Sequence, residues 1–139
     1  MNYIDKMKVK MKNGEFVELF NGLTAVQQLK GVKFGLLVSK NIRVIQEELK
    51  DIEEASKPTE EFLGLSQKMQ VLMNQKDDEA ITKLEEENKE LVDARKEQLA
   101  EIDKLLSEET EIELHAIPED CLPTDITGEQ IINIDKIIE

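Results

Sequence analysis

The pattern of apolar and polar positions changes period several times along this 139-residue chain, and each change predicts an element. Met7, Val9 and Met11 alternate with Lys8, Lys10 and Lys12, the two-residue period of a half-buried strand. Asn13-Gly14 reads as a turn, after which Val17 and Leu19 alternate with Phe16 and Glu18. The spacing predicts a β-hairpin over residues 7–20. A two-residue loop would set Val9 opposite Glu18. A three-residue Lys12-Asn13-Gly14 loop sets Val9 opposite Val17 and Lys8 opposite Glu18, with one apolar and one ion-paired face, and is the preferred register.

From Thr24, which with Gln27 forms a capping-box pattern, the period becomes helical and predicts a helix over 24–57, ending before Pro58. Its seam runs Val38, Ile42, Ile45, Leu49 and Ile52 in alternating steps of four and three. Extended backward, the seam meets Gly35 and Gly31, each costing a helix roughly 1 kcal/mol against Ala. Two readings stand: a break near Lys30-Gly31, or a close approach of another backbone or a ligand. A helical arm over 59–107 follows, with Phe62, Leu65, Met69 and Leu72 on one face. A break near 74–79 leads to a second run through Ile81, Leu84, Leu91, Val92, Leu99, Ile102 and Leu106, with Asn88 on the seam. Ile112, Leu114 and Ala116 alternate with charged or polar neighbours and predict a strand over 111–117 that joins the hairpin. Thr127 with Gln130 opens a last helix over 127–138, which buries some of Ile131, Ile132, Ile134, Ile137 and Ile138.

These elements define one α+β domain over 1–139, mostly α. An N-terminal β-hairpin and a third strand form a small sheet, beside a long antiparallel helical hairpin and a short C-terminal helix. Composition agrees with aliphatic helical seams: there is no Trp, one Tyr and four Phe, with 35% charged residues. The single cysteine, Cys121, excludes an internal disulfide and a cysteine-based zinc site. There is no apolar leader and no apolar run near the ~20 residues of a membrane span, so a soluble, reducing, intracellular setting without membrane association is expected.

Charge sharpens the picture. Residues 1–50 carry nine Lys/Arg against five Asp/Glu, and residues 51–139 carry nine against twenty-six, giving local nets of +4 and −17 within a total of −13. That total disfavours nucleic acid as a partner, and no aromatic stacking platform or recognised nucleic-acid motif offsets it. The positive excess has one candidate address. Lys30, Lys33, Lys40 and Arg43 recur at spacings of three and seven, along one side of the predicted helix, with Asn41 adjacent. Cations beside glycines that admit close approach are what a phosphate-containing ligand requires. In that reading Lys33, Lys40, Asn41 and Arg43 hold phosphates, Lys30 adds charge, and Phe34 or Tyr3 stacks a base. In the other, these cations face the acidic helix of the arm, within one chain or across an oligomer.

The remaining chemistry-bearing residues offer no catalytic set. His115 stands alone on a strand, and no nucleophile accompanies it. Acidic neighbours disfavour the Cys121 thiolate. Asp77-Asp78-Glu79 lacks a calcium-loop pattern and reads as a helix cap. No enzyme, metal or cofactor is expected. Leu36, Leu37, Val44, Val71 and Met73 lie beyond a single seam, so a homo-oligomer that covers them is expected.

The run Lys8-Val9-Lys10-Met11-Lys12-Asn13-Gly14-Glu15 leads to Leu19-Phe20-Asn21-Gly22-Leu23. Leu29-Lys30-Gly31-Val32-Lys33-Phe34, Val38-Ser39-Lys40-Asn41, Glu113-Leu114-His115 with Ile117, Leu122-Pro123, Ile126-Thr127 and Gln130 continue the pattern. In these segments, within residues 7–57 and 111–139, the chain resembles a family of small uncharacterised phage and prophage proteins, catalogued as a domain of unknown function. The family's Gly/Pro-containing inserted turn is replaced here by plain charged helix over 74–90. The resemblance implies phage origin and a place in the host cell cytoplasm, and it carries no catalytic residues. The expected function is that of a non-enzymatic, phage-encoded, oligomeric binding protein that counteracts host antiviral defence by sequestering a nucleotide-type immune signal. The alternative is a virion-assembly or structural accessory protein whose helical arms bind another phage or host protein.

Overall fold

The structure, a computed structural model, describes residues 5–139. Strand β1 (Lys6–Lys12) is followed by helices α1 (Asn13–Val26), α2 (Val32–Glu48), α3 (Lys50–Ser56), α4 (Glu60–Asn74), α5 (Asp78–Glu87) and α6 (Lys89–Ser107). Strand β2 (Glu109–His115), a 3-10 turn (Glu119–Cys121), helix α7 (Gly128–Ile134) and a second 3-10 turn (Asp135–Ile137) complete the described residues. The class is mostly α with a small antiparallel sheet, as the pattern predicts. The chain divides into two compact units: a sheet unit of Met1–Asp51 with Leu105–Glu139, and a helical unit of Ile52–Lys104.

The predicted hairpin over 7–20 is corrected. Its first strand is β1, but residues from Asn13 onward turn into α1, so the sheet has two strands rather than three. Phe16, Leu19, Leu23 and Val26 explain why. Their three-four-three spacing forms a helical seam, and all four are at most 3% exposed. The alternation of Val17 and Leu19 is a short stretch of that seam. The Glu15 carboxylate accepts from the Lys12 backbone N–H at 3.4 Å and fixes the helix entry. Asn13 is 5% exposed and closes the preceding element instead of a turn: its backbone N–H donates to Glu108 O (2.9 Å) and its Nδ2 to Leu105 O (2.8 Å).

The partner of β1 is β2, the strand expected over 111–117. Their antiparallel register sets Met7 opposite Leu114, Val9 opposite Ile112 and Met11 opposite Thr110 on the buried face. On the exposed face Lys8, Lys10 and Lys12 stand opposite Glu113, Glu111 and Glu109. The two-faced character read from the first strand therefore holds, with a partner strand about a hundred residues away. Ile117 continues past β2 into a parallel bridge with Ile138, so the chain's last turn closes onto the sheet unit.

The helix predicted over 24–57 is also corrected at its start. Thr24 lies in the last turn of α1, where its Oγ1 donates back to Phe20 O (2.9 Å), and the new helix begins at Val32. Gly31, at φ +134, supplies the break between the two, a backbone conformation that L side chains rarely adopt. Gly35 has open space around the position of a Cβ, so no backbone approaches it. Phe34, Val38, Asn41 and Ile45 of α2 and Ile134 and Ile137 near the C-terminus join Leu23, Val26, Ile112 and Leu114 in the unit's core, all at most 2% exposed. The predicted capping box at Thr127 and Gln130 is present, with reciprocal bonds of 3.1 and 2.9 Å.

Within the helical unit, α4 packs antiparallel to the α5–α6 run as a helical hairpin. Residues Gln75–Asp77 form the turn, with Lys76 at φ 56 and the Asp77 carboxylate capping α5 through Ala80 N (3.2 Å). At the other end Arg95 Nη1 donates to Ser56 O (2.9 Å), and Gln98 Nε2 donates to Ala55 O (2.7 Å) and Lys57 O (2.9 Å). These satisfy carbonyls left open where α3 ends before Pro58. Arg95 also lies 5.7 Å from the centre of the Phe62 ring. Asn88, read as a seam residue, instead donates to Leu84 O in its own helix (3.0 Å) where α5 gives way to α6.

Candidate functional site: the cationic face of helix α2

Helix α2 turns about 100° per residue, which sorts its side chains into two faces. Phe34, Leu37, Val38, Asn41 and Ile45 point into the sheet unit. On the opposite side Val32, Leu36, Arg43, Lys40 and Lys33 fall within an arc of about 100°. Val32 is 92% exposed and Leu36 is 47% exposed, while Lys33 and Arg43 are exposed and Lys40 is half-buried. Lys30 is exposed in the bend just before Gly31. None of these four cations has a carboxylate within 4.0 Å among the described residues. The face is thus a mixed surface, apolar at its N-terminal end and cationic along its length.

Two of the six residues expected to form a ligand site are taken up by the fold. Phe34 is 1% exposed in the core and has no ring face to offer a base. Asn41 is fully buried, and its amide grips the backbone of β2 at a single residue. Oδ1 accepts from His115 N–H (2.7 Å) and Nδ2 donates to His115 O (2.8 Å). These two bonds also fix which way the amide points. Tyr3, the other stacking candidate, lies outside the described residues. Lys30, Lys33, Lys40 and Arg43 remain together on or beside one face. Val32 is the member that reading the sequence missed. Eleven residues before Arg43, it falls about 20° from it around the helix at ~100° per residue.

The residues flanking α2 carry two perturbed groups. Burial holds the His115 imidazole below its usual range, and the nearby ammonium groups of Lys40 and Lys6 act in the same direction against a weaker opposing pull from Glu113. Its Nδ1 is buried without a hydrogen-bond partner. Burial pushes the Cys121 thiol up, with Lys33 opposing and Asp120 reinforcing the shift, so desolvation outranks the acidic neighbours first read from the sequence. The thiol donates to Pro118 O at 3.1 Å. Each group thus feels one cation of α2, His115 that of Lys40 and Cys121 that of Lys33. Within the helical unit, Glu61, Glu86, Glu87 and Glu90 line one open recess. Among the described residues, no group of three or more His, Cys, Asp or Glu is placed to hold a metal ion. No described helix is long and apolar enough to cross a membrane.

Comparison with protein-family models, with curated proteins and with solved structures finds no significant match. The functional reading therefore rests on the geometry of this chain.

Proposed function

We propose that this chain is a non-enzymatic binding protein of the accessory or assembly type, which holds an acidic protein surface on the outer face of α2. The observation that carries this reading is the composition of that face. Unpaired Lys33, Lys40 and Arg43 share an arc with the exposed Val32 and Leu36. Apolar anchors ringed by cations fit a protein surface with apolar and acidic groups, whereas Phe34, the ring that would stack a base beside these cations, lies in the core. In the phage setting that the resemblance implies, the partner is another phage protein or a host protein in the infected cell. The same cations support sequestration of a small phosphate-bearing signal only as a bare electrostatic site. Exposed Leu63, Val71, Met73 and Leu99 in the helical unit give a homo-oligomer a second, separate surface.

The test is co-purification of tagged protein from infected cells, paired with native mass spectrometry. A stoichiometric polypeptide should accompany the wild type. The combined change Lys33→Glu, Lys40→Glu and Arg43→Glu should abolish that association while leaving the circular-dichroism spectrum unchanged, because none of the three is in the core. A retained nucleotide in the mass spectrum, or wild-type association by the reversed variant, would overturn the reading.

A further inference from the structure

The two-stranded sheet leaves β1 with a second edge. Ala116 N–H donates to Asp5 O at 2.8 Å, which makes Asp5 and Ala116 a hydrogen-bonded pair and fixes the alternation along the ladder. Met7, Val9 and Met11 then direct their backbone groups toward β2. Lys6, Lys8, Lys10 and Lys12 direct theirs to the other side. The bond from Lys12 N–H to the Glu15 carboxylate, and those from His115 to Asn41 rather than to Lys6, follow the same alternation. Among the described residues the outward backbone groups of Lys8 and Lys10 have no partner, and both residues are exposed. The outer edge of β2 differs, because Asn41 occupies its C-terminal end.

We propose that the outer edge of β1 is a docking site for an extended acidic strand of a partner protein, which adds antiparallel as a third strand. The chemistry of the occupant is read from the strand already in place. β2 sets Glu109, Glu111 and Glu113 opposite the lysines of β1, and its apolar Ile112 and Leu114 alternate with them. Among the described residues Lys8, Lys10 and Lys12 nevertheless have no carboxylate within 4.0 Å, and the one ion pair along the ladder is Lys6–Glu113 at 3.9 Å. Three ammonium groups are therefore left to face carboxylates arriving from the open side, at the same alternate spacing. Backbone pairing gives such an added strand affinity and the lysine row gives it selectivity. A second copy of β1 on this edge would set lysine against lysine, which is destabilising, so the row that attracts an acidic strand also guards against self-pairing.

The experiment uses the full-length protein and the capped heptapeptide Glu-Val-Glu-Val-Glu-Val-Glu. Binding is followed by calorimetry and by amide chemical shifts. The expected result is saturable binding that shifts the amides of Lys8 and Lys10 and weakens at least tenfold when salt rises from 50 to 300 mM. A peptide N-methylated on the backbone nitrogens that face β1 should lose that binding, although its charge is the same. Lys10→Pro removes an outward N–H without touching the ladder to β2 and should weaken binding by a similar factor. Equal binding of the N-methylated peptide, no binding of the parent peptide, or concentration-dependent self-association through β1 that Lys10→Pro abolishes would each overturn the proposal.

Discussion

Asn41 decides how much of the expected ligand site survives. A buried primary amide must find partners or cost several kcal/mol, and here it finds both polar groups of one peptide position on β2. The amide takes the place that a further strand would otherwise pair with at His115. Replacing it with Ala leaves His115 N–H and C=O unpaired and opens a void in the core. Asn41→Ala should therefore lower unfolding free energy by about 2–4 kcal/mol in urea titrations. Asn41→Asp keeps the acceptor for His115 N–H but turns a carboxylate oxygen toward His115 O, and it should be no less damaging. A loss below about 0.5 kcal/mol for both would show that the clamp is dispensable. The burial of Asn41 was legible in the sequence. Phe34, Val38, Asn41 and Ile45 step four-three-four, a core seam that includes the asparagine, and the adjacent cations drew it into the wrong group. That its partner is the backbone of residue 115 was not legible, since no local pattern links positions 74 residues apart.

At the scale of elements, the same distinction separates what the pattern foretold from what it missed. Strands β1 and β2, the break at Gly31, the turn around residues 74–79, the end before Pro58 and the capped C-terminal helix all follow from local period and punctuation. The misread element is α1. Residues 16–19 satisfy a strand period and a helix period equally, and only the extension to Leu23 and Val26 separates them. Packing across α1 settles it. A Cβ built on Gly22 would stand 2.9 Å from Asn133 O and 3.1 Å from Asn133 Cβ, so α1 approaches α7 with room for a hydrogen only. Gly22→Ala raises helix propensity by about 1 kcal/mol but forces those backbones apart. The clash should win, with a net loss of roughly 1–3 kcal/mol. The same change at Gly35, the fourth residue of α2, which meets open space, should stabilise by about 0.5–1 kcal/mol. Thermal unfolding of the pair of variants checks both signs, and a stabilised Gly22→Ala would refute the close α1–α7 approach.

At the scale of the whole chain, burial is distributed as unevenly as charge. The contiguous core runs from Val9 through Ile137 entirely within the sheet unit. In the helical unit only Leu65 and Ile102 are buried, and Leu63, Val71, Met73 and Leu99 are 45–58% exposed. Helical seams announced both units equally in the sequence, because periodicity reports which side of a helix is apolar and not how much it finds to pack against. Local stability follows contact and burial, so the two units should open at different free energies. In native-state hydrogen exchange at low protein concentration, amides of α4 and α5 should exchange through openings several kcal/mol cheaper than those of α1, α2 and β2. Equal protection across both units would refute this ranking. Raising the concentration adds a discriminating arm. If a second copy covers the exposed apolar residues of the helical unit, protection around Val71 and Met73 should grow with concentration by mass action, while that of β1 and α1 stays constant. Protection in α4 independent of concentration would remove self-association through this unit and leave the cationic face of α2 and the open edge of β1 as the chain's binding surfaces.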